Sequence, residues 1–247
     1  MRSNIRVNAR ISVIIPTYCE AHNLPHLISK IVDSVTESQL RGNEIEIIVV
    51  DDNSPDGTGK LGQSLAGEHP EMKVIIRTDE RGLGTAVLKG ITASTGDVLV
   101  VMDADLTHDP ALIPQLVDQL ASNGADIALG SRFVNGFEME SSLHHIWGSK
   151  ALNTFIRVLL QIPAKDVTGG FFALRRDALG DLDVNSIFRG YGDYFFALLY
   201  RGSKRGWKMK EVACEYRARR EGLSKTSFFK AGFSYGVRAL KLRVNLE

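Results

Sequence analysis

Cysteine is scarce in this chain of 247 residues: only Cys19 and Cys214 occur, far apart and outside any CxxC or His-rich stretch. Neither a disulfide framework nor a zinc site is expected, and a reduced, cytoplasmic thiol pair is the simplest reading. Proline is sparse at 7 residues, and the 23 glycines follow no fixed period, which excludes collagen and low-complexity disorder. Apolar runs such as residues 45–50 and 98–102 fall far below the roughly 20 residues a membrane-spanning helix needs. Arg2, Arg6 and Arg10 precede an apolar stretch at 11–15 that is too short for a signal-peptide core and stops at Pro16, so this segment is not expected to direct export. Two phosphate-loop signatures are also missing. No GxGxxG follows the first expected strand, where Glu20 would repel a pyrophosphate, and no GxxxxGK[ST] occurs anywhere, which argues against dinucleotide oxidoreductases and Walker-type NTPases.

A net charge of +1 conceals an asymmetry: residues 1–200 hold 17 Lys and Arg against 25 Asp and Glu, and residues 201–247 hold 13 against 4. A basic end on an acidic body suits phosphate-bearing ligands or an anionic membrane surface. With no recognisable nucleic-acid-binding motif, nucleic acid is not an expected partner.

What is present is a regular alternation of short apolar runs with amphipathic segments. Residues 11–15, 45–50, 73–77, 98–102 and 127–130 read as strands, the first a buried parallel strand closed by Pro16-Thr17. A helix capped by Asn23 should follow the first, a short one should follow Arg81-Gly82-Leu83-Gly84, and one capped by Asp109 should follow the fourth. Beyond Gly130 the alternation weakens. A long helix is expected over 143–160, strands over 171–174 and 209–214, and a last helix over 227–244. In that helix Phe229, Phe233, Val237, Leu240 and Val244 form a stripe read as core-facing, flanked by Lys230, Arg238 and Lys241. The pattern is that of an α/β fold, a mainly parallel sheet covered by helices on both faces.

Ligands of such sheets sit beyond the carboxyl ends of the strands. The residues there are rich in carboxylates: Pro16, Tyr18 and Glu20 after the first strand, Asp51 and Asp52 after the second, Asp103, Ala104 and Asp105 after the fourth. Carboxylates converging on one crevice repel one another unless a cation joins them, so a divalent metal is implied. The DxD formed by Asp103 and Asp105 can approach Mg²⁺ or Mn²⁺ that also coordinates a substrate diphosphate.

These residues, taken in order, resemble the glycosyltransferase family 2 enzymes of the GT-A fold, and among them the dolichyl- or polyprenyl-phosphate mannosyltransferase-like group. The resemblance runs from Ile11 to Lys225 through VIIPTYCE at 13–20, IVVDDNSPDGT at 48–58, GLGTA at 82–86, MDADL at 102–106, GSRF at 130–133, DVTGGF at 166–171 and RREGLSK at 219–225. It implies a Rossmann-like GT-A domain over 1–225, followed by a basic amphipathic helix over 226–247 that approaches the membrane surface. Pro16, Tyr18, Glu20, Val50 and Asp52 would hold the nucleoside of a sugar nucleotide, GDP-mannose foremost. Asp103, Ala104 and Asp105 would hold its diphosphate and the metal. Arg132, Arg219 and Lys225 would meet donor or acceptor phosphates, with Asp103, Asp105 and Arg132 catalytic.

The activity implied is inverting transfer of one hexose, mannose foremost, to a polyprenyl or dolichyl phosphate. The enzyme would work at the cytoplasmic face of a membrane, held peripherally either directly or through a membrane-anchored subunit. Three departures from the family pattern stand out: Thr107 where a Gln metal ligand is common, Phe172 where an Arg is common, and the segment from Gly190 to Tyr194. The QxxRW signature of processive synthases is absent, which argues against long-polymer synthesis.

Two rival readings remain: a transferase acting on a hydroxyl acceptor, with Asp193 as the base, and a non-catalytic sugar-nucleotide-binding subunit. His144 and His145 are expected to be ordinary surface histidines, and His22, His26, His69 and His108 solvated positions without a role.

Overall fold

The computed structural model describes residues 9–134, 143–180, 182–215 and 228–244. Arg219, Lys225 and the expected boundary at 225/226 lie outside these residues, as do the side chains of His144, His145, Phe229 and Lys230.

Among the described residues seven strands form one sheet. They are β1 (Ile11–Thr17), β2 (Ile45–Asp51), β3 (Met72–Ile76), β4 (Val98–Val101), β5 (Ile127–Ser131), β6 (Phe172–Arg175) and β7 (Met209–Ala213), in the order β3-β2-β1-β4-β6-β5-β7. Every pairing is parallel except those of β6, which runs antiparallel to both β4 and β5. The helices are α1 (Leu24–Thr36), α2 (Thr58–Glu68), α3 (Leu83–Ala93), α4 (Ile113–Ala121), α5 (Leu143–Leu160), α6 (Arg176–Leu179), α7 (Val184–Ile187), α8 (Asp193–Lys204) and α9 (Phe228–Arg243), with a 3₁₀ turn at Pro110–Leu112 leading into α4.

The central strands are buried on both faces, which is why they read as unbroken apolar runs. Ile11, Val13 and Ile15 share one core with Leu24, Ile28 and Leu116, while Ile14, Leu99 and Val101 share another with Val87, Phe172 and Phe195. Helix α3 lies close on β1, because a Cβ on Gly90 would fall 2.4 Å from Cγ2 of Ile14.

Several local expectations change. Asn23 occupies the N-cap position of α1 without a capping bond, and its amide donates instead to Oε2 of Glu20 at 2.8 Å. Asp109 does cap, accepting from the Ala111 N–H at 3.1 Å. Two helices without a long apolar stripe, α2 and α8, complete the layers.

The largest correction concerns α9. Its stripe of Phe233, Val237, Leu240 and Val244 faces outward, with Phe233 78% exposed, whereas Ala239 and Leu242 enter the core shared with α5 and α8. Arg238, expected on the solvated flank, is buried.

Candidate active site

The carboxyl ends of β1, β2 and β4 meet at one edge of the sheet, and the backbone leaves each strand through a left-handed turn. Cys19 (φ 56°), Asn53 (φ 53°) and Leu106 (φ 60°) take this conformation, which costs a non-glycine residue energy and clusters where function demands it.

Side chains hold the first two turns together. Asp51 accepts from the Thr17 hydroxyl at 3.0 Å and from the Ser54 hydroxyl at 2.5 Å, and the Ser54 hydroxyl in turn accepts from the Cys19 N–H at 2.9 Å. The Thr58 hydroxyl accepts from the Glu20 N–H at 2.9 Å. Pro16 and Val50 are register partners with buried side chains, and Val50 packs in a small core with Ile48 and Ala86 of α3. Tyr18 is exposed, and the Arg81 guanidinium lies over its ring at 5.1 Å.

Asp52 is buried and committed. One oxygen accepts from Nε of Arg77 at 2.7 Å in an ion pair, and the other accepts from the Gly82 N–H at 2.8 Å. Arg77 also donates to the Gly82 carbonyl and the Thr85 hydroxyl, both at 2.9 Å. Asp52 and Arg77 therefore fix the loop 78–82 against the end of β2. Sequence reading missed Arg77, and a basic residue at the end of an apolar strand was the available signal.

In the DxD, Ala104 and Asp105 are buried and Asp103 is half-buried. Asp105 Oδ1 accepts from the Thr107 hydroxyl at 2.6 Å and from its N–H at 3.1 Å. Thr107, which departs from the family pattern, thus braces Asp105 from a fully buried position. Among the described residues no group of three or more His, Cys, Asp and Glu forms a closed metal cage. A pair of carboxylates at a strand end fits an ion of the Mg²⁺ class, which takes one or two protein carboxylates and completes its shell with phosphate oxygens and water.

Arg132, at the end of β5, is buried and held by Asp166: Nε donates to Oδ2 at 2.7 Å and Nη2 to Oδ1 at 2.8 Å, with a further bond to the Thr168 hydroxyl at 2.8 Å. Burial alone would raise the Asp166 carboxyl, but Arg132 holds it below the usual carboxylate range. This two-pronged buried pair is costly to break from one side.

Contrary to expectation, His108 is buried rather than solvated, stacked on Phe171 with ring centres 5.1 Å apart. Burial pushes its imidazole down to about 4; Asp105 and Asp166 oppose the shift and Arg132 adds to it. That shift holds the ring neutral at pH 7.

Asp193, the candidate base for a hydroxyl acceptor, is buried, accepts from the Tyr191 N–H at 2.7 Å and pairs with Nη1 of Arg238 at 2.8 Å. Its carboxylate is thereby occupied on both oxygens.

Residues 12–183 match the family model described as Glycosyl transferase family 2. The chain is 44% identical over 181 residues to a dolichol-phosphate mannosyltransferase of Pyrococcus furiosus, covering 72% of this chain and 49% of that protein, so it spans about half the length of that relative. It is 36% identical over 231 residues to a polyprenol monophosphomannose synthase of Mycolicibacterium smegmatis, covering 91% of this chain and 84% of that protein. An undecaprenyl-phosphate mannosyltransferase of Micrococcus luteus is 36% identical over 225 residues, covering 88% of each. Among solved structures, glucosyl-3-phosphoglycerate synthase of Mycobacterium tuberculosis with Mn²⁺ and UDP-glucose superposes with a TM-score of 0.70 at 18% identity, covering 98% of this chain and 84% of that one. That likeness is one of fold.

Proposed function

The chain belongs to glycosyl transferase family 2, and from that premise we propose that it transfers one mannose from GDP-mannose to a polyprenyl or dolichyl phosphate with inversion at the anomeric carbon. The observation that supports this most is similarity to a polyprenyl-phosphate mannose synthase over nearly the full length of both chains, with a braced DxD at the end of β4. In the reaction an oxygen of the lipid phosphate bonds to C1 of mannose as the bond from C1 to the diphosphate oxygen breaks. The products are mannosyl polyprenyl phosphate and GDP. The nucleophile is already an anion, so no proton needs removal and no strong base is required. Occupation of Asp193 by Arg238 and the Tyr191 N–H supports a lipid-phosphate acceptor over a hydroxyl.

Asp103 and Asp105 would hold Mg²⁺ or Mn²⁺, whose charge, when bound, offsets that of the departing diphosphate. Asp52 with the loop it fixes, together with Pro16, Tyr18, Glu20 and Val50, would hold the nucleoside, and Ala104 would lie with Asp103 and Asp105 at the diphosphate. Arg132, braced by Asp166, would work with Arg219 and Lys225 to offset repulsion between the two phosphate-bearing substrates.

Peripheral binding to a membrane follows from the acceptor. No helix among the described residues is long and apolar enough to cross a membrane. Two helices packed on each other, α5 and α9, expose large apolar side chains: Trp147 (66%), Phe155 and Val158 on one, Phe233, Leu240 and Val244 on the other, with Lys150 over the Trp147 ring. Aromatic and aliphatic groups beside lysines suit an anionic bilayer interface. Buried Arg238 takes no part in that surface.

The test is transfer of label from GDP-mannose into organic-extractable polyprenyl phosphate with and without Mg²⁺ or Mn²⁺, run beside UDP-glucose and UDP-N-acetylglucosamine. Metal-dependent lipid label from GDP-mannose is expected. Label confined to water-soluble acceptors would overturn the reading.

A further inference from the structure

We infer that Arg238, on the C-terminal helix, is a positioning residue for the donor pocket, acting through the segment from Ser186 to Asp193 on which the loop from Gly82 to Gly84 rests.

The chain of contacts is short. Nη2 of Arg238 donates to the carbonyls of Ser186 at 2.8 Å and Ile187 at 2.9 Å, and Nη1 donates to the Arg189 carbonyl and to Oδ2 of Asp193, both at 2.8 Å. Asp193 uses its other oxygen to hold the Tyr191 N–H at 2.7 Å. The Gly190 turn lies hard against that carboxylate, since a Cβ there would sit 2.7 Å from both oxygens. From this turn the Gly190 carbonyl accepts from the Gly84 N–H at 3.2 Å. Gly84 itself touches the Arg189 backbone, with a Cβ position 2.9 Å from the Arg189 carbonyl oxygen. Gly82, two residues earlier, is gripped by Asp52 and Arg77.

One buried guanidinium thus fixes four backbone and side-chain oxygens of a segment that has little regular structure of its own. That segment is the support behind the donor loop. A second contact reinforces the first: Tyr235, one turn earlier on α9, packs on Gly192 so closely that a Cβ there would meet its hydroxyl at 2.3 Å. Its phenol is raised, chiefly by burial and then by the charge of Asp193. The inner side of α9 therefore packs on the segment from Ser186 to Asp193 through both Arg238 and Tyr235. Were Arg238 only a cap for the carbonyls ending α7, its loss would be felt from 184 to 193 and no further.

The inference rests on the donor reading of the loop, and the experiment separates the two. Amide exchange is followed in the full chain for the wild type, Arg238→Lys and Asp193→Asn, and GDP with Mn²⁺ is titrated into each. In Arg238→Lys, which keeps the charge but loses the fork, exchange at Gly84 is expected to quicken about tenfold or more and GDP to bind about tenfold more weakly, while core amides of β1 and β2 stay unchanged. Faster exchange confined to 184–193 would overturn the inference. Faster exchange at Gly84 in a protein whose wild type ignores GDP would uphold the coupling and remove the donor reading. Should both variants fail to fold, exchange of the wild type in mild denaturant decides: amides of 82–86 and 186–191 opening as one unit support the coupling, and independent opening refutes it.

Discussion

Thr107→Val removes one hydroxyl from a fully buried position while nearly preserving volume. The hydroxyl donates to Asp105 Oδ1 at 2.6 Å, a short bond to a carboxylate, and the Thr107 N–H remains on the same oxygen at 3.1 Å. A bond to a charged acceptor contributes about 1.5–3 kcal/mol. If that bond sets how Asp105 meets a cation, its loss raises the metal concentration for half-maximal activity by about 10- to 100-fold, the range found when groups supporting metal ligands are removed. The assay is mannose transfer at fixed donor and acceptor across a Mn²⁺ series. Turnover at saturating metal is expected to stay within about twofold of wild type, because the carboxylate itself is intact. Thr107→Ser, which restores a donor, should return the curve most of the way. An unchanged Mn²⁺ curve in Thr107→Val would refute the bracing role and leave Thr107 as core packing.

Two further outcomes are open to measurement. Burial pushes the Glu46 carboxyl up, but bonds from Ser12, the Thr95 N–H, Lys73 and the Thr95 hydroxyl outweigh it and hold the group at about 2. A folded pKa depressed from 4.5 to about 2 stabilises the protein above pH 4.5 by at most roughly 3 kcal/mol, less what solvent screening removes, and loses that effect as pH falls through the interval. Glu46→Gln should therefore be less stable than wild type at pH 7 by denaturant unfolding, with the gap closing below pH 4.5; a gap constant down to pH 2.5 would contradict this. On the outer face of α9, Phe233→Ser with Leu240→Ser should weaken sedimentation with anionic vesicles about tenfold or more without lowering thermal stability, since both side chains are largely exposed. Equal vesicle binding would exclude that face as the contact.

Sequence alone made the sheet legible because its strands are buried on both sides and their apolar runs are unbroken. It hid α2 because much of the inner face of that helix is glycine: Gly59 and Gly62 lie against Ile76 and Val74, leaving only Leu61, Leu65 and Ala66 to mark a short apolar stripe. It hid α8 for the opposite reason, since Asp193 to Tyr200 is buried all round and has no polar side to mark a period. On α9 two sets of residues share helical spacing, and periodicity does not say which turns inward. The larger side chains proved to be the outer set, and the core received Ala239 and Leu242. The candidate site residues stand out in the sequence as strand-end motifs. Their partners were not, because Arg77 meets Asp52, Asp166 meets Arg132 and Arg238 meets Asp193 across long sequence separations that only the fold closes.

Strand β6 runs against its neighbours, so it meets the site with its beginning rather than its end. The residues before it, from Asp166 to Phe171, arrive at Arg132 and His108, and its last residue, Arg175, with Arg176 after it, arrives at the opposite rim, where Arg176 donates to the Gly96 carbonyl at 2.5 Å. Four residues measure the full depth of the sheet between those two anchorages. Phe172 and Leu174 turn to one core, and Ala173 turns with Phe171 to the other. Inserting or deleting a single residue here would exchange the two sets between faces and pull Asp166 away from Arg132 at the same stroke. The length of this segment is thus held more tightly than its composition: substitutions that respect size can be absorbed, and a change in the number of residues cannot.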